Sequence, residues 1–596
     1  MKLQLIACVT ALLLGCSASG ADKGLKGSGA GNTGATSSIG DQPSLGLGGN
    51  GPSLGGSLST GDVMADPNPE TCEAAALGKT YVGCDFWPTI TANPVWQEFE
   101  PAVVVANGTK TDATVTITGP DGFNQTVTVK AGGLETVMLK WVMGLKGPEF
   151  SLTNTSGGRM NASSRVDKGA YHMVSSVPVT AWQFNPLKYV LDADKCTRIP
   201  GGNMGCRSAT NDASLLIPST AMTDSYRVFG YSSKNEGTDW GTVPGGVTIT
   251  ATTDGTEVQV QLGPKCGVEV YPTTDLGTCV AAGPAGSGID AKMPGDIYTF
   301  SMNAGDVVEL VGAWAKDPQT RNADMSGSVV VSNKDHHVQV ISFNAISQLP
   351  DVSVANADHM EETVLPGEVL GKEYVVAPPA NPKGQSIGHV VRIYGNKNGT
   401  KLEYPAGKPP GAPDTINEGE VFQIPPMPTG QPAAQCVGTT DHCMLTTPFV
   451  VKGSEAFAVA SFMVGGVLQM PGTDSGNSQG DPSFSMEVTP EQFRTDYTFL
   501  APTDYLENYA DVVVPTGAAV TLDGAPAAGT ATPIGDSGWS TLRLELKPTP
   551  QGGVHKLSAD KPVGLQVMGF GYATSYYYPG GLNLLHISEP PVVVPK

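Results

Sequence analysis

An all-β fold of tandem antiparallel β-sandwich-like units is the class this sequence predicts. Three observations predict it. Apolar and polar residues alternate with period 2 after residue 100, turns rich in Gly and Pro separate the alternating runs, and two phrases recur in the same order along the chain. Composition agrees. Of 596 residues, 75 are Gly and 47 are Pro, and only 15% are charged, which disfavours a helical protein. The formal net charge of −21 excludes non-specific nucleic-acid binding, which needs a basic surface.

The amino terminus has the pattern of an export signal. Met1-Lys2 is a short positive start, and residues 3–14 form an apolar run that ends at Gly15-Cys16. The run is too short to span a bilayer as a helix, which takes about 20 residues, and it suits a signal-peptide core. Gly15-Cys16 resembles a bacterial lipobox, so residues 1–15 are expected to be a lipoprotein signal peptide and Cys16 the lipidated first residue. Ser17, rather than Asp, after Cys16 points to an outer-membrane or cell-surface address. The other reading is simple secretion with cleavage near Ser19-Gly20. Residues 21–60 hold 12 Gly and 7 Ser, and no aromatic residue occurs between Cys16 and Tyr81. Such a stretch cannot bury enough surface to offset the ordering of its backbone. Residues 16–71 are therefore expected to be a lipid-anchored flexible tether.

Cys8 leaves with the signal, and Cys16 is taken by lipid. Eight cysteines remain, in four local couples: Cys72 with Cys84, Cys196 with Cys206, Cys266 with Cys279, and Cys436 with Cys443. Short spacing favours four disulfides, although eight cysteines permit about 105 pairings. No couple is a CxxC and no His stands at zinc-ribbon spacing, so no metal is expected. The count and spread fit an oxidising compartment.

The β body then follows in order. Ala113-Thr114-Val115-Thr116-Ile117-Thr118, a Gly-Pro-Asp-Gly turn at 119–122, and Thr126-Val127-Thr128-Val129 form the first strand–turn–strand device. It recurs around Asp254-Gly255, Asn398-Gly399 and Asp523-Gly524. A closing phrase ends on Phe each time, at Phe184, Phe343, Phe462 and Phe570. Entry strands begin at Tyr226, Tyr374 and Tyr497. Repeats of this size suit two packed antiparallel sheets. The expected divisions are 72–208, 209–352, 353–475 and 485–592.

Several phrases resemble the IgGFc-binding protein N-terminal domain family. They are Tyr81-Val82-Gly83-Cys84-Asp85-Phe86-Trp87-Pro88 with Phe99-Glu100-Pro101-Ala102-Val103-Val104-Val105-Ala106-Asn107, then Tyr171-His172-Met173-Val174 with Gln183-Phe184-Asn185, then Asn211-Asp212-Ala213-Ser214-Leu215-Leu216-Ile217-Pro218. The resemblance extends over about 72–590. It implies an exported or lipid-anchored bacterial protein and brings no catalytic residues. The family takes its name from an animal mucus protein that binds immunoglobulin Fc; the Cys-dense von Willebrand-type repeats that follow there are missing here.

No catalytic constellation emerges. The eight His are scattered, and His336-His337 would point to opposite faces of a strand. His172 precedes an apolar strand and suits a turn or packed position. G-x-S-x-G spacing around Ser53 and Ser478 lacks the strand–turn–helix of a nucleophile elbow. G-x-G-x-x-G spacing occurs only in the tether. Asp317 with Asp324, and Asp474 with Asp481, are acidic loops without EF-hand spacing. Aromatic residues are the better binding candidates: Trp87 beside the Cys84 constraint, and Tyr576, Tyr577 and Tyr578, which cannot all face one core. The expected function is a non-catalytic binding, adhesion or scaffold module with no cofactor, reaching an unidentified protein or glycan from a membrane anchor. The alternative is a secreted-type hydrolase with a site assembled from distant loops.

Overall fold

A computed structural model describes residues 68–149, 162–192, 206–232, 245–267, 277–314, 323–350, 354–426, 444–550 and 552–593. Cys16, the tether up to residue 67, Cys196, Cys436 and Cys443 lie outside them. Alternation in the sequence becomes alternation in burial. Val115 and Ile117 are fully buried while Thr114 and Thr118 are exposed, and the next strand, Asn124–Val129, pairs antiparallel through the turn. Among the described residues the strands form six antiparallel sheets of four to eight strands. This is the tandem β-sandwich-like class that the alternation predicts.

Each closing phrase crosses between two layers. Strand His172–Phe184 pairs through its first half with Ala113–Thr118 and through its second half with Ala102–Ala106. The eighteen-residue strand Val554–Gly571 does the same, first with Arg494–Leu500 and then with Glu507–Pro515. Pro178 and Pro562 sit at the two crossings, where a missing N–H costs no ladder bond. In the middle of the chain the crossing is broken by a turn, giving Val329–Ser332 then Val338–Ser347, and Phe449–Gly453 then Phe457–Phe462.

After each crossing comes a hub strand that pairs back on it: Ala213–Leu215, Asp358–Thr363, Phe484–Met486 and Thr574–Pro579. Each hub strand packs against the next, and the last packs against the first, so the four units close into a ring. The hub is polar where the strands begin. Asp358 accepts the Asn211 N–H at 2.9 Å and the Ser575 N–H at 3.3 Å. Ser575 Oγ accepts from the Asp481 N–H at 2.8 Å, and Ser483 Oγ donates to Asp212 at 2.8 Å. Asp212 in turn accepts the Glu361 N–H at 3.0 Å, and Ser214 Oγ donates to Glu362 at 3.0 Å. All of these side chains are buried.

The terminal segments of the body complete the ring. Tyr81 N–H donates to Leu582 O at 3.2 Å, and Leu584 N–H donates to Lys79 O at 2.7 Å. Arginines fasten neighbouring units. Arg227 reaches Asn396 and Glu418; Arg392 pairs with Asp324 at 2.6 Å and lies over Tyr231; Arg543 grips Asp511 through two nitrogens and also reaches Pro378 O; Arg494 lies over Tyr81. A strand is also traded between units, since Ser164–Val166 pairs with Val307–Val311. Hydrogen bonding places the hub strands Ala213–Leu215 and Asp358–Thr363 with the unit before them, although both start after the divisions at 208 and 352.

The recurring entry tyrosines do one job three times. Tyr226 OH accepts the Thr223 N–H and donates to Val338 O; Tyr374 OH accepts the Gly371 N–H and donates to Phe457 O; Tyr497 OH accepts the Arg494 N–H and donates to Val563 O. Each ties the start of a unit to its closing strand.

Cys72–Cys84 and Cys266–Cys279 are disulfides, and Cys206 is also disulfide-bonded. The tyrosine run leads one to expect at least one of Tyr576, Tyr577 and Tyr578 exposed or at an interface; the structure corrects this, since all three are at most 1% exposed. Their strand is central, so both of its faces are covered. Tyr576 and Tyr578 stack in the main core and donate to Asn508 and Leu500 O, whereas Tyr577 packs on the other side with Tyr509, Met568 and Phe570.

Tyr374→Phe should lower stability by about 1–3 kcal/mol, since it leaves the Gly371 N–H and the Phe457 carbonyl without their buried partner; the urea midpoint relative to wild type measures it. A second expectation concerns pH. Burial pushes the carboxyls of Asp481 and Glu309 up to about 8 and that of Glu487 up to about 7. Burial, then the neighbouring Asp481 and Asp212 charges, pushes Asp358 well up too. The folded state thus holds protons that the unfolded chain releases near its ordinary carboxylate range of about 4. The stability these groups contribute is complete below that range and falls as pH rises towards 8. The melting temperature should drop across this window, and Asp481→Asn should flatten the slope.

Candidate functional site

The first unit and the turn at Ala304-Gly305 enclose an open cleft of about 710 Å³. Trp87, Ala170 and His172 line it, with the hairpin turn 118–122, segment 141–144 and loop 166–168. Sequence dictates the shape of this region. Gly119 lies against Tyr171, where an added Cβ would fall 2.3 Å from the ring, so only glycine lets the turn approach. Asp121 (φ 55°) and Lys168 (φ 51°) both hold left-handed backbone on the cleft rim. Asp tolerates that conformation better than Lys, and such residues concentrate at ligand sites.

Trp87 is 8% exposed, and its ring stacks on His172 with centroids 4.1 Å apart and planes 11° apart. His172 Nε2 lies 2.7 Å from Asp85 Oδ2. Burial pushes the Asp85 carboxyl up, but hydrogen bonds from His172 and Ser219 outweigh it and hold the group below its ordinary value. The carboxylate therefore stays charged and fixes the imidazole that backs Trp87. Trp141 is half-buried and donates its indole N–H to Phe99 O at 3.0 Å. Lys146, fully buried, sits 5.0 Å from the Trp141 ring centroid, donates to Asn93 O and Val95 O, and is brought down to about 8 by burial. Met143, 55% exposed, stands at the mouth.

Of the aromatic candidates, the cleft takes Trp87 and excludes the three tyrosines. His172 was expected in a turn or packed position; it is packed, on Trp87, and also lines the cleft. Two things were missed. The Asp85–His172 pair joins residues 87 positions apart with no local signal. The hub carboxylates in Asp358-His359-Met360-Glu361-Glu362-Thr363 resemble a solvated polar run, and only their place beside a closing phrase marks them. His336 and His337 stay apart, contacting Thr256 and Ser219 O respectively. Asp324 is spent on Arg392, while Asp474 caps its own loop at Gly476 and Asn477. Asp317 lies outside the described residues.

Among the described residues no serine, threonine or cysteine side chain hydrogen-bonds His172, and no group of three His, Cys, Asp or Glu is placed to hold a metal ion. No described helix is long and apolar enough to cross a membrane.

No curated protein matches the chain. Two solved structures align with it at 10% identity. One is an anti-sigma factor domain-containing protein from Clostridium clariflavum, covering 60% of this chain and 90% of that one with a TM-score of 0.11. The other is a tetra-tandem repeat from the extending region of a large adhesion protein, covering 84% and 99% with a TM-score of 0.08. Scores this low carry no argument about fold or function. The sequence model of the IgGFc binding protein family matches residues 212–569. The match begins at Asp212, so the resembling phrases at 81–107 and 171–185 precede it. It takes in three of the four hub strands entire, and only Thr574–Pro579 lies past its end. On this match, the chain belongs to the IgGFc binding protein family.

Proposed function

We propose that the chain is a non-catalytic binding module of the cell envelope, carried on a lipid at Cys16 and a Gly/Ser-rich tether, with the Trp87–Trp141 cleft as its ligand site. The observation that carries this reading is the cleft itself: open, of ligand size, backed by indole rings, and with a His–Asp pair whose imidazole no described serine, threonine or cysteine side chain hydrogen-bonds. Catalysis needs converging polar groups around a reacting atom; binding needs a shaped, rigid surface. The ring of locked units supplies rigidity, and membership in a family described as IgGFc binding supports a role in recognition. Nucleic acid is a poor ligand for a chain of net charge −21. A tether of roughly 50 residues spans about 35–42 Å as a flexible coil, which lets the body stand clear of a membrane.

A photo-cross-linking amino acid at Met143 on intact cells tests the site. A discrete captured species absent from a control probe at exposed Leu506 is the expected result. Equal capture at both positions would reject the cleft as the ligand site. The anchor has its own check: Cys16→Ser should move the protein from the membrane fraction to the soluble fraction.

A further inference from the structure

Resting on the reading of the cleft as a binding site, we propose that its ligand is a neutral oligosaccharide, with one pyranose ring stacked on Trp141 and hydroxyls hydrogen-bonded to Asp121, Asp167 and Lys168. Four observations converge. Lys146 is fully buried and covers the inner face of Trp141, so the face lining the cleft is the outer one. An indole face is electron-rich and attracts the partly positive C–H edge of a sugar ring. Trp87, pinned by His172 and Asp85, makes a rigid wall behind it.

Charge is the second observation. Asp167 is paired with Arg165 at 3.4 Å, which leaves Asp121 and Lys168 as a near-neutral couple on the rim. Such a rim selects neither a phosphate nor a strongly cationic ligand. Carboxylates that accept and an ammonium that donates suit hydroxyl groups, which do both. Third, the left-handed backbone at Asp121 and Lys168 is set by the fold without help from a ligand, so binding asks no backbone ordering of these two rim positions.

The fourth observation weighs against an extended peptide. One sheet edge beside the cleft, Ser164–Val166, is only three residues long and centred on Arg165. An edge that short and charged is a poor template for strand addition.

Saturation-transfer difference NMR on the full chain tests the proposal, with maltotriose, cellotriose, chitotriose and a set of neutral tripeptides as probes. At least one trisaccharide should receive saturation at its ring C–H protons. Trp141→Ala and Asp121→Asn should each weaken that binding at least tenfold. Asp121→Asn keeps a residue that tolerates the turn, so it decides the matter if Trp141→Ala fails to fold by circular dichroism. Sugar binding unchanged in Asp121→Asn would place the sugar elsewhere and overturn the proposal. Transfer to tripeptides alone, sensitive to Asp121→Asn, would overturn the ligand class but keep the cleft as a binding site. Transfer to neither class would overturn both.

Discussion

Four short strands, one from each unit, meet at the centre of the body, and each brings a carboxylate, a serine or both where water does not reach. Every other feature of the architecture accommodates that meeting. An unpaired buried carboxylate is costly, so each must find donors on a neighbouring strand or keep its proton. Asp358 takes one donor locally, from His359, and two from Asn211 and Ser575, more than 140 and 210 residues away in sequence; Asp212 takes one from Ser483. Local donors such as the His359 and Thr363 N–H groups leave Asp358 and Glu362 with further bonds that come only from other units. The polar ring thus makes the units depend on one another, and the junction arginines and the pairing of residues 79–81 with 582–584 hold the neighbours at the distance it requires.

The β class and the repeat were legible because period-2 alternation survives in burial, as in Val115 and Ile117 against Thr114 and Thr118. The entry tyrosines were legible as a repeated phrase, and their shared hydrogen bonding explains why the phrase recurs. Ring closure was not legible. Nothing local in Asp358–Thr363 tells a buried hub strand from a solvated edge, because burial there is imposed by three other strands distant in sequence. The same blindness put at least one of Tyr576, Tyr577 and Tyr578 at a surface or interface. A strand of three tyrosines cannot face one core, but it can lie between two.

The cleft was half legible. Trp87 stood out beside the Cys84 constraint, and the disulfide Cys72–Cys84 does flank it in sequence. Its partners did not stand out: His172 arrives from strand His172–Phe184, Trp141 from the segment after Leu134–Met138, and Ala304-Gly305 from the neighbouring unit. The site therefore depends on the packing of the first two units, which the traded strand Ser164–Val166 and the bond from Gln339 Nε2 to Trp87 O maintain. The cleft and the architecture are linked through these contacts.

Scanning calorimetry of the full chain tests the interdependence of the units most directly. The account predicts one endotherm for the β body, with calorimetric and van't Hoff enthalpies in agreement, because no unit keeps its hub contacts once another has unfolded. Two or more resolved transitions, each carrying the enthalpy of one or two units, would contradict it.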